Sequence, residues 1–522
     1  MYTHSWIVHP FSVFSLLSSN TVSANSEHRI FVNTSAPPNA SLGIDPSFPG
    51  FAFEQAAFYN YAFDSSGNPN AFSQNLIHSV LKRTGGTPLI RVGGTSGDRA
   101  HFNTTQSFAT NFPATEHGVH FHAPYLSVGL EYFDAFQQFP GAKYEFQVPW
   151  DQWENGPHQR NTLQWAEAGL HAIGMERLYS LELGNEANYY KRFNEDGTLD
   201  QATYIERYRT LEDVMKQKFP DLSSRKVFQA LDIASAEAES LSVSEAFKLG
   251  LSESADSIKQ VAYHYYQGHG INSMEELQDW VSHSRTEQQM EVFKPSITFL
   301  RENYPDIGLV LDEVGDNVGA KATKGNIWNC FATALWRVDF QLYAMSIGVA
   351  RMNFQQIFNP RASMWLPVHS DTGGVPQVTA NYYAMPFAAD FIGDTGNTRV
   401  VALDLDDDDD GMIVAYAAYD DGALSRIGIL NMRLWTLEDG DRLSRVISIR
   451  GMPDGVKEAT VHYLFAGEGA LQKHGITWKG LQWTVVSNGI EERVVHDSKV
   501  LEIVDNELQV GVDAMSAIIM EL

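Results

Sequence analysis

The sequence predicts an α/β protein in which a (β/α)8 barrel is followed by a β-sandwich. Three observations carry that prediction. Eight short apolar runs recur between residues 50 and 355, each ending in or near a polar or aromatic residue, which is how buried parallel strands read. Amphipathic helical stretches separate several of these runs, the alternation a barrel with long βα loops requires. After residue 393 the runs shorten, turn residues separate them and no helical period persists, the texture of a sandwich. At 522 residues the chain exceeds one ordinary core, so two domains are the starting expectation. An open doubly wound sheet ranks lower because no glycine-rich phosphate loop opens the pattern.

In chain order, residues 6–17 form a hydrophobic run with Val22-Ser23-Ala24 behind it as a cleavage site, so residues 1–26 read as a leader. The signal is weak: no Lys or Arg precedes the run, and His9 and Pro10 interrupt it. Residues 27–45 carry a lone strand at 29–32, expected to pair with the sandwich, before a connection rich in proline (Pro37, Pro38, Pro46, Pro49). The barrel is assigned to 46–393, with strands at 50–54, 88–92, 144–150, 178–186, 227–232, 261–266, 307–313 and 349–355. The clearest helix, 204–219, sets Ile205, Tyr208, Leu211, Met215 and Phe219 on one stripe; a second spans 327–343. The sandwich takes 394–522, with strands at 412–419, 425–431, 444–449, 457–463, 481–486, 499–503 and 514–521. Asp404 and the aspartates at 406–410 lack the spaced pattern of a calcium loop and read as a solvated hairpin.

Composition narrows the function. The formal net charge is −27 and the pI near 4.9, the wrong balance for nucleic acid or an anionic membrane face. It also disfavours endo-acting attack on long sulfated chains. The single cysteine, Cys330, rules out an intrachain disulfide framework and reads as a buried thiol. Sequons at Asn33, Asn39 and Asn103 permit glycosylation, and with the leader they point to an extracellular protein. No later apolar stretch has membrane-spanning length.

Chemistry concentrates at two strand ends. Leu181-Glu182-Leu183-Gly184-Asn185-Glu186 closes the fourth strand, and Leu309-Val310-Leu311-Asp312-Glu313-Val314-Gly315 closes the seventh. Catalytic groups of such barrels sit at the C-terminal ends of strands. A carboxylic acid beside an amide suits acid-catalysed glycoside cleavage, and a second carboxylate from the opposing wall at about 5–5.5 Å suits the retaining reaction. Side-chain alternation predicts that only one of Asp312 and Glu313 faces the mouth. Nothing in this chemistry requires a metal or a cofactor.

These residues resemble glycoside hydrolase family 79, the β-glucuronidase and heparanase-like enzymes. The resemblance lies in Arg91-Val92-Gly93-Gly94-Thr95-Ser96-Gly97-Asp98, Gly184-Asn185-Glu186, His264-Tyr265-Tyr266, Ala334-Leu335-Trp336 through Asn353-Phe354, Tyr382-Tyr383 and the closing sandwich. It implies a retaining exo-β-glucuronidase with Glu186 as acid/base, Glu313 as nucleophile, Asn185 on the sugar 2-hydroxyl and Tyr265 hydrogen-bonded to the nucleophile. The charge of Glu313 is expected to keep Glu186 protonated until the leaving oxygen takes its proton. Beside the resemblance, Glu54 and Asp98 stand where polar groups grip distal hydroxyls, His264 reads as a hydrogen-bonded wall residue and Arg91 as an anchor for carboxylates beneath the floor. Two departures bear on the sugar. The segment after Glu313 is Val314-Gly315-Asp316-Asn317-Val318-Gly319-Ala320-Lys321, without the family's Asn-Ser-containing stretch, and Gln355 stands where the family has His. Lys321 or the amides of 315–319 become the candidates to receive a uronic carboxylate. The same machinery on another sugar, and a non-catalytic carbohydrate-binding barrel, are the competing expectations; the oligomeric state is left open.

Overall fold

Eight parallel strands close on themselves, and they do so in chain order. In the structure, a computed structural model, residues 28–111, 126–150, 156–190, 199–234, 241–317, 327–370, 373–406 and 411–522 are described. The run at 6–17, the segment 318–321 with Lys321, and the aspartates at 407–410 lie outside the described residues.

A first strand, β1 (His28–Phe31), precedes the barrel. The barrel strands are β2 (Pro49–Glu54), β3 (Leu89–Gly93), β4 (Lys143–Val148), β5 (Leu178–Leu183), β6 (Phe228–Ala234), β7 (Ile258–Tyr266), β8 (Gly308–Gly315) and β9 (Arg351–Gln356). Each pairs in parallel with the next, and β9 closes on β2. All eight runs read as barrel strands are strands, and both faces of nearly every one are buried. Burial is therefore continuous along them, although polar and apolar residues alternate in Lys143–Val148 and Arg351–Gln356. The helix Gln201–Lys218 is capped by Asp200, whose side chain accepts from Thr203 N, and buries Ile205, Tyr208, Leu211 and Met215.

The barrel interior is polar where most such barrels are filled by branched aliphatics. Ile90 and Val92 of β3 pack into the apolar layer, whereas Arg91 between them is fully buried among carboxylates. Gln229 of β6 donates to Asp312 Oδ2 on β8 (2.5 Å), and Gln260 of β7 donates to Glu145 Oε1 on β4 (2.6 Å). Arg351 Nη2 reaches the same Glu145 oxygen at 2.5 Å. Arg91 and Arg351 are each paired with a carboxylate in this column, the condition under which buried charge is tolerated.

The C-terminal domain is two packed sheets. Strand β1 runs parallel to Ser444–Arg450, which pairs antiparallel with Glu507–Asp513. The larger sheet contains Thr398–Leu403, Ile413–Asp420, Ala423–Asn431, Ser516–Glu521 and Glu458–Phe465. Between the sheets lie Ile30, Ile427, Ile429, Ile447, Val510 and Ile518. Alternate residues of the larger sheet, Tyr416, Leu430 and Ile519, belong instead to the barrel's core. The sheet thus covers two cores at once, one with each face. Five strands of this domain fall outside the expected runs: Thr398–Leu403, Leu405–Asp406, Thr477–Trp478, Glu491–Arg493 and Glu507–Asp513.

The helix Phe331–Ile347 is buried on all sides through Met345 and lies between barrel and sandwich. Its first amides donate into the sandwich: Phe331 N to Gln472 O and Ala332 N to Ala470 O, satisfying groups that a helix start leaves without partners. Cys330 is a buried thiol as expected, at the N-cap of this helix. Asn33, Asn39 and Asn103 are exposed. Among the described residues no helix is long and apolar enough to cross a membrane.

Candidate active site

The fourth barrel strand ends because its next residues leave extended geometry. Gly184 has φ +82° and Glu186 φ +49°. A side chain on Gly184 would come within 2.5 Å of the Tyr190 hydroxyl, so glycine is required there sterically as well as conformationally. Glu186 is held in the left-handed region by its own amide, which donates to Asp232 O at 2.8 Å. A non-glycine residue pinned there is costly, and such strain concentrates at functional positions.

Glu313 lies across the mouth, near the end of β8. Arg91 Nη1 donates to its Oε2 at 2.5 Å and the Tyr266 hydroxyl to its Oε1 at 2.6 Å. Burial opposes ionisation of Glu313, but His264, Arg91 and Tyr266 together hold its carboxyl below the usual carboxylate range. The Glu186 carboxyl, 18 % exposed, meets His264 Nδ1 at 3.1 Å. Oxygens of Glu186 and Glu313 and a His264 nitrogen all lie within 4.8 Å of one another.

The other expected residues fall into place unequally. Asn185 is buried, and Arg91 Nη2 donates to its Oδ1 at 2.8 Å, which leaves the amide NH2 as the donor available to a substrate. Asp98 stands behind Asn185. It accepts from Asn185 N, Gln147 Nε2 and Trp150 N at 3.2 Å each and from the Tyr190 hydroxyl at 2.5 Å. Those four donors make it a clip for the Asn185 backbone. Glu54 accepts from Ser96 N and Oγ, and from Gln355 Nε2 at 3.0 Å. Burial and the nearby Glu313 charge push the Glu54 carboxyl up to about 7. Gly94 makes room for it, since a Cβ there would lie 2.3 Å from Glu54 Oε2.

Tyr265 is not on the nucleophile candidate. Its ring stacks on Phe340 at 4.7 Å and its hydroxyl donates to Gln267, outside the barrel lumen. Alternation along β7 sends Tyr263 and Tyr265 outward and His264 and Tyr266 inward, so Tyr266 holds Glu313. The expectation that one of Asp312 and Glu313 must face away is also corrected. The β7–β8 register shifts at Tyr263/His264, pairing Tyr263 with Leu311 and His264 with Glu313. This bulge leaves Asp312 as the extra residue, and it too turns inward, 3.3 Å from His264 Nε2 and 3.8 Å from Arg91 Nε. Arg91 goes beyond the expected anchoring of carboxylates, because it touches both Glu313 and Asn185 directly.

Among the described residues, two sets of ligating side chains come together, Glu182–Asp232–His264–Asp312 and Glu186–His264–Glu313. In the first, Arg91 already pairs with Glu182 at 2.6 Å, and the Gln229 amide donates to both Asp232 and Asp312. Arg91 and His264 bring positive charge to both sets, so a cation would have to displace them.

Residues 415–519 match the C-terminal beta domain of glycosyl hydrolase family 79. A β-glucuronidase of Aspergillus niger is 25% identical over 504 residues, covering 90% of this chain and 91% of that protein. One from Neurospora crassa is 24% identical over 441 residues, 80% and 77% of the two chains. Among solved structures, a 4-O-α-L-rhamnosyl-β-D-glucuronidase from Fusarium oxysporum 12S, seen with Rha-GlcA, matches with a TM-score of 0.76 at 18% identity, covering 95% and 100%. A family 51 α-L-arabinofuranosidase from Bifidobacterium longum gives 0.62 at 14% identity, covering 96% and 100%. At those identities the structural matches speak for the fold.

Taken with the family 79 domain match, the similarity to β-glucuronidases along most of the chain marks an O-glycosyl hydrolase acting on carbohydrate. Its C-terminal domain matches the family 79 model, and over most of its length the chain is similar to the two fungal β-glucuronidases.

Proposed function

We propose that the chain is a retaining exo-β-glucuronidase that removes terminal glucuronic acid from glycosides or glycans outside the cell. The observation that carries this reading is the approach of Glu186 and Glu313 to within 4.8 Å. That spacing suits direct attack by a carboxylate and is too short to seat a water between them, as inversion needs. The two fungal relatives supply the sugar.

In this reaction Glu313, ionised and aimed by Arg91 and Tyr266, attacks the anomeric carbon. Glu186 protonates the departing oxygen, then takes a proton from the water that releases the sugar. Asn185 donates its NH2 to the 2-hydroxyl, a bond that strengthens as the ring flattens. Glu54, paired with Gln355, lines the same pocket.

The test is turnover of aryl β-glycosides by native protein and Glu186→Gln. The native protein should hydrolyse the glucuronide with retention, and the variant should lose at least about 100-fold in kcat/KM with a poor leaving group. Equal turnover removes the proposal. High activity on a neutral glycoside with none on the glucuronide keeps the machinery and replaces the sugar. Expressed with its own leader in a fungal host, the protein should accumulate in the culture medium; retention inside the cells counts against the extracellular assignment.

A further inference from the structure

Retaining hydrolysis moves one negative charge from one carboxylate to the other. At the start Glu313 is anionic and Glu186 holds a proton. As glycosylation proceeds, a lone pair of Glu313 forms the bond to the anomeric carbon. The carbon–oxygen bond to the leaving group breaks with its electron pair on that oxygen, which takes the proton of Glu186. Glu313 ends neutral as an ester and Glu186 ends anionic, so the pair keeps its total of one charge while that charge crosses the site.

His264 stands between the two. Its Nδ1 is 3.1 Å from Glu186 Oε1 and 3.8 Å from Glu313 Oε2, and its Nε2 is 3.3 Å from Asp312 Oδ1. The side chain is 1 % exposed. The β7–β8 bulge produces this arrangement: it sets His264 level with Glu313 and turns Asp312 inward to meet the far side of the ring. Asp312 is in turn held by Gln229.

Building on the assignment of Glu186 and Glu313 above, we propose that His264, seated on Asp312, is a positioning residue whose imidazolium stays in contact with the migrating charge. Before glycosylation it faces the Glu313 carboxylate. Afterwards it stabilises the carboxylate that Glu186 has become. It holds Oε1 of Glu186 throughout, leaving Oε2 to carry the proton, and it neither gains nor loses a proton itself. Burial opposes a charge on the ring, but Asp312 and Glu313 overcome it and raise His264 well above its ordinary range. The ionisable groups around it are Glu182 and Glu186 at the end of β5, Asp232 on β6, Tyr266 on its own strand, Asp312 and Glu313 on β8, and Arg91 on β3. Hydrogen-bonded charge pairs out of water are the strong ones, and this one gains most when Glu186 becomes anionic.

The test is His264→Gln, which keeps a hydrogen-bonding group and removes the charge, on a series of glycosides of falling leaving-group acidity. The sugar is whichever one the panel identifies. Expected is a kcat/KM loss of about 10- to 100-fold for phenyl or alkyl leaving groups and of less than about 3-fold for dinitrophenyl, which departs without a proton. A uniform loss, or none, overturns the proposal. Glu186→Gln is run on the same series: a flat response there overturns the acid assignment itself, whereas a steep one beside a flat His264→Gln response overturns this inference alone. A readout on native protein stands whether or not the variant folds. In 15N-histidine-labelled enzyme, two imidazolium signals, those of His264 and of His283 beside Asp339, should persist at pH 8 both free and as the covalent 2-fluoroglycosyl adduct, and the His264 signal alone should shift between the two. A neutral His264 ring in either state overturns the proposal.

Discussion

One position separates Tyr265 from Tyr266, and it changes which aromatic hydroxyl meets Glu313. The Tyr266 hydroxyl donates to that carboxylate at 2.6 Å, while Tyr265 stacks on Phe340 outside the lumen. A hydrogen bond to a charged group contributes about 1.5–3 kcal/mol, and each 1.36 kcal/mol is tenfold in rate. Tyr266→Phe should therefore lower kcat by roughly 10- to 100-fold, and Tyr265→Phe should leave it within about 3-fold; kinetics of the two variants side by side check this, and the reverse ranking would return the role to Tyr265. Counting alternate residues from His264 would have found Tyr266. The inward turn of Asp312 could not be counted, because a bulge appears only when two strands are paired. Arg91 was legible as a carboxylate anchor, since a charged residue between Ile90 and Val92 needs a buried partner; that its partners include Glu313 depends on the opposite wall.

At the scale of elements, the end of β5 does the most to aim the site. Gly184 and Glu186 both adopt left-handed backbone, and Asp98 and Tyr190 clip the Asn185 amide between them. Gly184→Ala adds a Cβ 2.5 Å from the Tyr190 hydroxyl and 2.9 Å from Trp150 Cβ. We expect a stability loss of about 1–3 kcal/mol together with a drop of at least about tenfold in kcat/KM, read from urea unfolding and steady-state kinetics. A stable variant with native kinetics would show that the clip tolerates movement. The eight barrel strands were legible from the apolar residues that recur along them, even where buried polar groups such as Glu145 and Arg351 interrupt the run. Glu507–Asp513 was not, although Leu508, Val510 and Val512 alternate inward: its outer face is Glu507, Gln509 and Gly511, a composition that reads as a turn. Thr398–Leu403 was lost against the acidic segment that follows it.

For the whole molecule, pH acts through groups of opposite sign. Burial raises Glu54 and Glu182 to about 7, so their folded forms keep protons that the unfolded chain releases from about pH 4.5; stability falls as pH rises across that interval. His264 is raised well above its ordinary range, and His283, opposed by burial but paired with Asp339, is raised to about 10. What they contribute is complete below about 6.5 and is lost as pH climbs through their folded values. Asp312 and Glu313 are lowered, so their contribution disappears as pH falls below about 4.5. The melting temperature should therefore peak between about pH 4.5 and 6.5 and decline on both sides, which scanning calorimetry across a buffer series measures. A maximum at pH 8 or above would contradict the buried charge states assigned to these groups. The net charge of −27 works in the same direction on the alkaline side.

The larger sheet of the C-terminal domain has no face to spare. Tyr416 ties it to the neighbouring helix through Asp339, Gly428 lies against Leu342 and Phe391, and the loop carbonyls of Ala470 and Gln472 cap that helix. Such a domain is not a detachable module. Cutting the chain after the barrel would strip the wall of the catalytic half as well, and grafting in a foreign sandwich would mean transplanting the Phe331–Ile347 helix with it.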